Sequence, residues 1–302
     1  MSVELLENLK RRRRAVILAH NYQLPEVQDL ADFVGDSLEM AFRAVDLDAD
    51  VIVVAGVRFM AELVAAINPD RIVLHPEPSS GCPLADSVNV GLVSDFRSRF
   101  KGVPIVVYVN SPIEVKAAAD YFVTSSSILR LVSKLNVESV VFGPDRNLAD
   151  YISEKLNVNV IPLSPESHCP VHEYLLDEYY VLEALKLHPN AKLLVHPEVP
   201  RSVRKLAHFV GSTSGMIRAI GDLEGDEFLL GTEEGLTHRA RKLYEGKHIF
   251  PVNYRAICVD MKKITPRKII HCLENLKFKV TLDREIISKA REVIFSSLEL
   301  LE

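Results

Sequence analysis

Three of the four cysteines, Cys82, Cys169 and Cys258, sit in the polar loops SSGCPLAD, ESHCPVHE and YRAICVDM, separated by 87 and 89 residues. Thiolates delivered from three separate places form a trigonal set of soft ligands, the kind that selects zinc, copper(I) or an iron–sulfur cluster. A closed structural zinc site wants four ligands, commonly in close CxxC pairs. The chain has no such pair. A cubane cluster on three cysteines instead leaves one iron open to a substrate oxygen or nitrogen, a Lewis acid rather than an electron carrier. The alternative is three buried thiols acting as small hydrophobes, the usual fate of free cysteine. Cys272 lies inside an apolar helical pattern and is assigned to the core on that ground.

The segments that must position these thiols repeat. Three β-rich runs ending in polar residues, AVILAHNY, PIVVYVNS and KLLVHPEV, superpose His20 on Tyr108 and His196, and Tyr22 on Asn110 and Glu198. A hydroxyl follows each anchor by 17 residues, at Ser37, Ser125 and Thr213, just where a helical pattern starts. Such hydroxyls can be helix caps, and at helix N-termini they are also placed to hold anions. A second apolar run then ends at Gly56, Gly143 and Gly231, an amphipathic helix follows, and a third run (RIVLH, VNVIP, HIFPV) leads to the cysteine loop. The cysteines fall 62, 61 and 62 residues after their anchors.

Short apolar runs alternating with helical patterns imply βαβ units with parallel sheets. The reading is an α/β fold of three small units related by pseudo-threefold symmetry: 1–84, 85–171 and 172–258. A tail, 259–302, is expected to return to the first unit, with two helices and a KFKVTL strand between them. Ligands of parallel sheets sit beyond the carboxyl ends of the strands, so three units about one axis would share a central cavity. There, burial would raise the Glu198 carboxyl enough for general acid or base work. Tyr22 and Tyr108 offer phenols, and His20, His172 and His196 offer ligands for an anion or metal, unless they merely cap strand ends. The remaining histidines considered, at 75, 188, 208, 238, 248 and 271, are read as structural.

Composition excludes other classes. With 302 residues, 48% hydrophobic and 25% charged, the chain is an ordinary globular one, and a net charge of −5 offers no field for nucleic acid. The run Arg11 to Arg14 reads as a solvated helix face. No stretch approaches roughly 18 continuous apolar residues, and the start lacks the order of a secretory signal, so neither membrane nor export is expected and the cytoplasm is.

At LAHNYQLPEVQDLADFVGDS, GCPLADS, YVNS, VTSSS, FGPDRNLADYI, CPVHE, HPEV, GSTSGMI, GTEEGLTHR and NYRAICVDMK the sequence resembles the quinolinate synthase family of NAD biosynthesis, along nearly its whole length. The resemblance implies three α/β units around a 4Fe-4S cluster held by Cys82, Cys169 and Cys258. It implies condensation of iminoaspartate with dihydroxyacetone phosphate to quinolinate, phosphate and water, with an aspartate-oxidising enzyme able to hand over the imine. His20, Ser37, Tyr108, Val109, Asn110, Ser125, His172, His196, Pro197, Glu198 and Thr213 would bind substrate, and Tyr22 and Glu198 would handle protons. The chain departs from many members in reading HPEV for HPEC and in offering Cys258 alone in CVDMK. Two alternatives stand beside this: a cysteine-ligated zinc hydrolase or lyase, and a non-catalytic small-anion binding protein.

Overall fold

Runs such as VIVVA and IVVY are apolar on both faces of a strand and must be covered from both sides, as crossover helices cover a parallel sheet. The computed structural model describes residues 3–302 and shows this arrangement three times. After α1 (Val3–Arg13), the first unit runs β1 (Ala15–His20), α2 (Pro25–Leu30), β2 (Phe33–Gly35), α3 (Ser37–Asp46), β3 (Val51–Ala55), α4 (Arg58–Ile67) and β4 (Ile72–Leu74). The second comprises α5 (Val90–Arg99), β5 (Ile105–Tyr108), α6 (Ile113–Ala118), β6 (Tyr121–Val123), α7 (Ile128–Leu135), β7 (Ser139–Gly143), α8 (Arg146–Lys155) and β8 (Asn159–Pro162). The third comprises α9 (Pro170–Tyr174), α10 (Glu178–Leu187), β9 (Lys192–Val195), α11 (Arg201–Arg204), β10 (Phe209–Val210), α12 (Thr213–Asp222), β11 (Glu227–Gly231), α13 (Gly235–Leu243) and β12 (His248–Pro251). The tail holds α14 (Pro266–Asn275) and α15 (Arg284–Glu299).

Each sheet is parallel with the same order, β2-β1-β3-β4, β6-β5-β7-β8 and β10-β9-β11-β12. The edge strands β2, β6 and β10 span two or three residues and are absent from the sequence reading. Strand register also corrects one alignment. Ala19, Val107 and Val195 pair with Ala55, Gly143 and Gly231, so Gly56 lies one residue past the place its counterparts occupy.

The same hydrogen bond secures each cysteine loop two residues before its thiol. Arg58 N donates to Ser80 O at 2.9 Å, Arg146 N to Ser167 O at 2.8 Å and Glu234 N to Ala256 O at 2.9 Å. Strand ends and cysteine loops are thereby tied in one manner in all three units.

One apolar cluster runs without a break through the first and second units, joining Phe59 and Leu63 to Val106, Phe122 and Phe142, with Ile294 of α15 among them. The third unit keeps clusters of its own. In the tail, Ile269 and Leu273 of α14 share a core with Leu6 and Leu9 of α1. Helix α15 reaches further: Arg291 donates to Ile67 O at 2.7 Å, while Ser297 Oγ accepts from Phe122 N at 2.8 Å in the second unit. The expected KFKVTL strand is only a single antiparallel bridge between Leu74 and Lys279. Among the described residues no helix is long and apolar enough to cross a membrane.

Candidate active site

The carboxyl ends of the inner strands converge on one cavity of about 90 Å³. His20 and Tyr108 close β1 and β5, and His196 follows β9. Cys82, Cys169 and Cys258 all line this cavity, one from each unit, and none forms a disulfide. Also on its wall are Tyr22, Ser37, Val109, Asn110, Ser125, His172, Glu198 and Thr213. Pro197 is not, although it is buried beside its two cavity-lining neighbours.

The hydroxyls are not the caps they resemble. Helix α3 is capped by Asp36, whose side chain accepts from Leu38 and Glu39 N, and α12 by Ser212, which accepts from Gly215 N. Ser37 and Thr213 are therefore the first residues inside their helices. In the second unit α7 begins only at Ile128, and Ser125 stands in the preceding turn. Because Asp36 and Ser212 cap α3 and α12, Ser37 and Thr213 are not needed at those helix ends, and with Ser125 they line the cavity.

Burial sets the protonation of the walls. It lowers His20 to about 3, helped by His196, Arg239 and Lys262, and lowers His196 to about 4 against the pull of Glu198. A neutral His20 accepts at Nδ1 from Tyr22 N at 3.2 Å, so its hydrogen sits on Nε2 as a donor. Burial and then the charge of Glu198 raise both Tyr22 and Tyr108, keeping them phenols. Burial also raises all three thiols, Cys258 to about 11.

Glu198 departs from expectation. Burial pushes its carboxyl up, but the His196 and His172 imidazoles more than offset this and bring it down to about 2. His172 Nδ1 lies 2.9 Å and His196 Nδ1 3.6 Å from Glu198 Oε2. The group rests as a carboxylate, not as an acid that stores a proton. A buried polar chain extends from it: His172 Nε2 lies 3.0 Å from Thr232 Oγ1, which lies 2.5 Å from the Tyr22 hydroxyl.

Sequence reasoning missed several groups here. Thr232 joins Tyr22 to His172. Asp145, raised well above the carboxylate range by burial and Glu198, accepts from Cys169 N at 3.2 Å. Glu233, raised to about 7 by burial, accepts from Cys258 N at 2.9 Å and pairs with Lys262 at 3.0 Å. Lys262 in turn donates to Tyr22 O at 2.8 Å. The strings FGPD and GTEEG, spanning the ends of β7 and β11, were the available signal.

A metal group could be held by the three thiols, whose soft donor set suits iron–sulfur binding and whose desolvated S–H groups stay protonated until a metal displaces the proton. A second set also presents itself: ligand atoms of Cys169, His172 and Glu198 lie within 4.8 Å of one another.

The family model described as quinolinate synthetase A protein matches residues 4–299. The chain belongs to that family. The quinolinate synthase of Pyrococcus furiosus is 46% identical over 295 residues, 98% of this chain and 96% of that protein. The quinolinate synthase of Thermotoga maritima is 41% identical over 299 residues, 99% of each chain. As a member of the quinolinate synthetase A family the protein is an enzyme, and its three parallel sheets are the α/β architecture expected from the repeats.

Proposed function

We propose that the protein condenses iminoaspartate with dihydroxyacetone phosphate, releasing one phosphate and two waters to form quinolinate in NAD biosynthesis. The atoms balance: four carbons and the nitrogen come from the imine, three carbons from the triose, and closing the pyridine ring needs one new C–C and one new C–N bond. Cys82, Cys169 and Cys258 would hold a 4Fe-4S cluster, which when bound supplies a Lewis-acidic iron for the dehydrations. The observation that carries this reading is the meeting of these three thiols with neutral donors and the Glu198 carboxylate in a single cavity.

Each wall group has a task suited to its state. The His20 Nε2–H, the Tyr108 phenol and the hydroxyls of Ser37, Ser125 and Thr213 donate to carboxylate or phosphate oxygens, with Asn110, Val109 and His196 beside them and Pro197 fixing the strand end. Glu198 takes a proton; the chain through His172 and Thr232 lets Tyr22 give one up without becoming a phenolate in a dry site. Water excluded from the cavity spares the hydrolysable imine. An aspartate-oxidising enzyme in the same cytoplasmic compartment would supply that imine.

Anaerobically purified protein is expected to contain four irons and four sulfides and to form quinolinate, with Cys82→Ser losing iron, sulfide and turnover. Stoichiometric zinc without sulfide would favour a zinc hydrolase or lyase, the reading that the Cys169, His172 and Glu198 set supports. Undiminished anion binding by an inactive parent and by Cys82→Ser would favour a binding protein.

A further inference from the structure

Asn21 and Arg239 touch neither substrate nor cofactor in the proposed function, and what they imply rests on Thr213 being a substrate contact. Asn21 is fully buried, at 0% exposure, in the turn after β1. Its Nδ2 donates to Thr213 Oγ1 at 2.8 Å, across the boundary between the first and third units. Its Oδ1 accepts from Arg239 Nη1 on α13.

The direction of this chain is fixed by chemistry. A guanidinium has donors only, so the amide atom facing Arg239 must be oxygen, and the one facing Thr213 must be the NH2 group. That NH2 has no lone pair to offer, so the threonine oxygen accepts and its own hydrogen must point elsewhere. Among the described residues that hydrogen has no acceptor, and Thr213 lines the cavity.

We propose that Asn21, locked by Arg239, is a positioning residue that makes the Thr213 hydroxyl an obligate donor toward substrate, so that this corner of the cavity takes a carboxylate. A ligand group that must itself donate meets a hydrogen there and is refused. Selectivity at this corner is thus set two residues away from the ligand, by an arginine on a different unit from the asparagine it orients.

Asn21→Asp tests the proposal because it keeps the size of the side chain and its pairing with Arg239 while reversing the chain. The new carboxylate accepts from Thr213, whose hydrogen then leaves the cavity. With cluster-loaded enzyme under anaerobic conditions, the Kd of quinolinate measured by calorimetry is expected to rise about tenfold or more, the loss of one charge-assisted hydrogen bond. KM should rise more than kcat falls, and Tm should stay within about 3 °C. Thr213→Val should weaken binding by a similar factor, and the double variant should bind no worse than Thr213→Val alone, since both changes remove one donor.

Additive losses in the double variant would show the new charge acting by itself and would overturn the proposal. So would unaltered binding by Asn21→Asp when Thr213→Val binds weakly. Should Asn21→Asp fail to fold, Arg239→Lys and Arg239→Met decide: the lysine keeps a donor and parental binding, the methionine releases the amide and loses it, and equal binding by the two overturns the proposal. Failure of the functional reading looks different, because the unaltered enzyme then neither forms nor binds quinolinate, and the proposal falls with it.

Discussion

The first unit meets its two neighbours in opposite ways. Toward the second it shares one apolar core, in which Phe59 and Leu63 continue into Phe122 and Phe142 and α15 supplies Ile294; the exceptions are the buried Lys116, 5.3 Å over the Phe59 ring, and Glu62, which accepts from Ile113 N at 3.2 Å. Toward the third it makes directed hydrogen bonds: Asn21 to Thr213, Tyr22 with Thr232, Gln28 to Gly235 O at 2.9 Å, and Ser214 to Glu39 at 2.7 Å. Apolar contact is non-directional and scales with area, whereas a hydrogen bond fixes which atom points where. One boundary therefore contributes cohesion and the other sets the aim of the side chains around the cavity.

Breaking the apolar boundary should have the largest effect. Ile294→Asp places a carboxylate at a position with 0% exposure and should cost more than about 4 kcal/mol, read as loss of soluble protein or of the denaturation midpoint. A variant with the parental midpoint would show that α15 is not what joins the units.

On the polar boundary stability should barely move while chemistry does. Thr232→Val should lower kcat by about 10- to 100-fold with little change in KM or Tm, and Thr232→Ser should restore it. Equal losses in the serine and valine variants would remove the hydroxyl from proton transfer.

Acid gives a smaller, graded effect. His20 is held down at about 3, so below its unfolded value of 6.5 the unfolded chain binds a proton that the folded chain refuses. The sign is loss of stability as pH falls. Relative to His20→Gln, which has no such proton, the parent should lose about 1.4 kcal/mol per pH unit from about 6.5 towards 4. A pH-independent difference in urea denaturation would contradict a buried neutral imidazole. Smallest of all, Asp29→Ala removes exposed pairs with His238 and Lys242 at the rim of the same boundary, and should shift stability by no more than about 0.5 kcal/mol.

What the sequence disclosed divides along the same line. The repeat of anchors, hydroxyls and cysteines is local to each unit, so the three units and the wall of the cavity could be read from spacing. Strands β2, β6 and β10 are too short for any periodicity to register. The landing of α15 was half legible, since an amphipathic helix shows that it docks but not on which of two apolar neighbours. Asn21, Thr232 and Lys262 were missed because their partners lie on another unit, some 190 to 240 residues distant in the chain. Glu198 was misjudged for a different reason: its burial and the histidines of the same cavity were foreseeable, but not that the His172 and His196 imidazoles come within 2.9 and 3.6 Å of its carboxylate and outweigh the burial.

The even spacing of the three thiols has a consequence for the chain as a polymer. A single group gripping all three ties off two loops, of 87 and 89 residues, much as a pair of long-range cross-links would. In the chain-entropy picture each such closure removes about 4.6 kcal/mol of freedom from the unfolded ensemble. Loading the cavity would thus act as a staple through the whole molecule, and stripping it should loosen regions far from any sulfur.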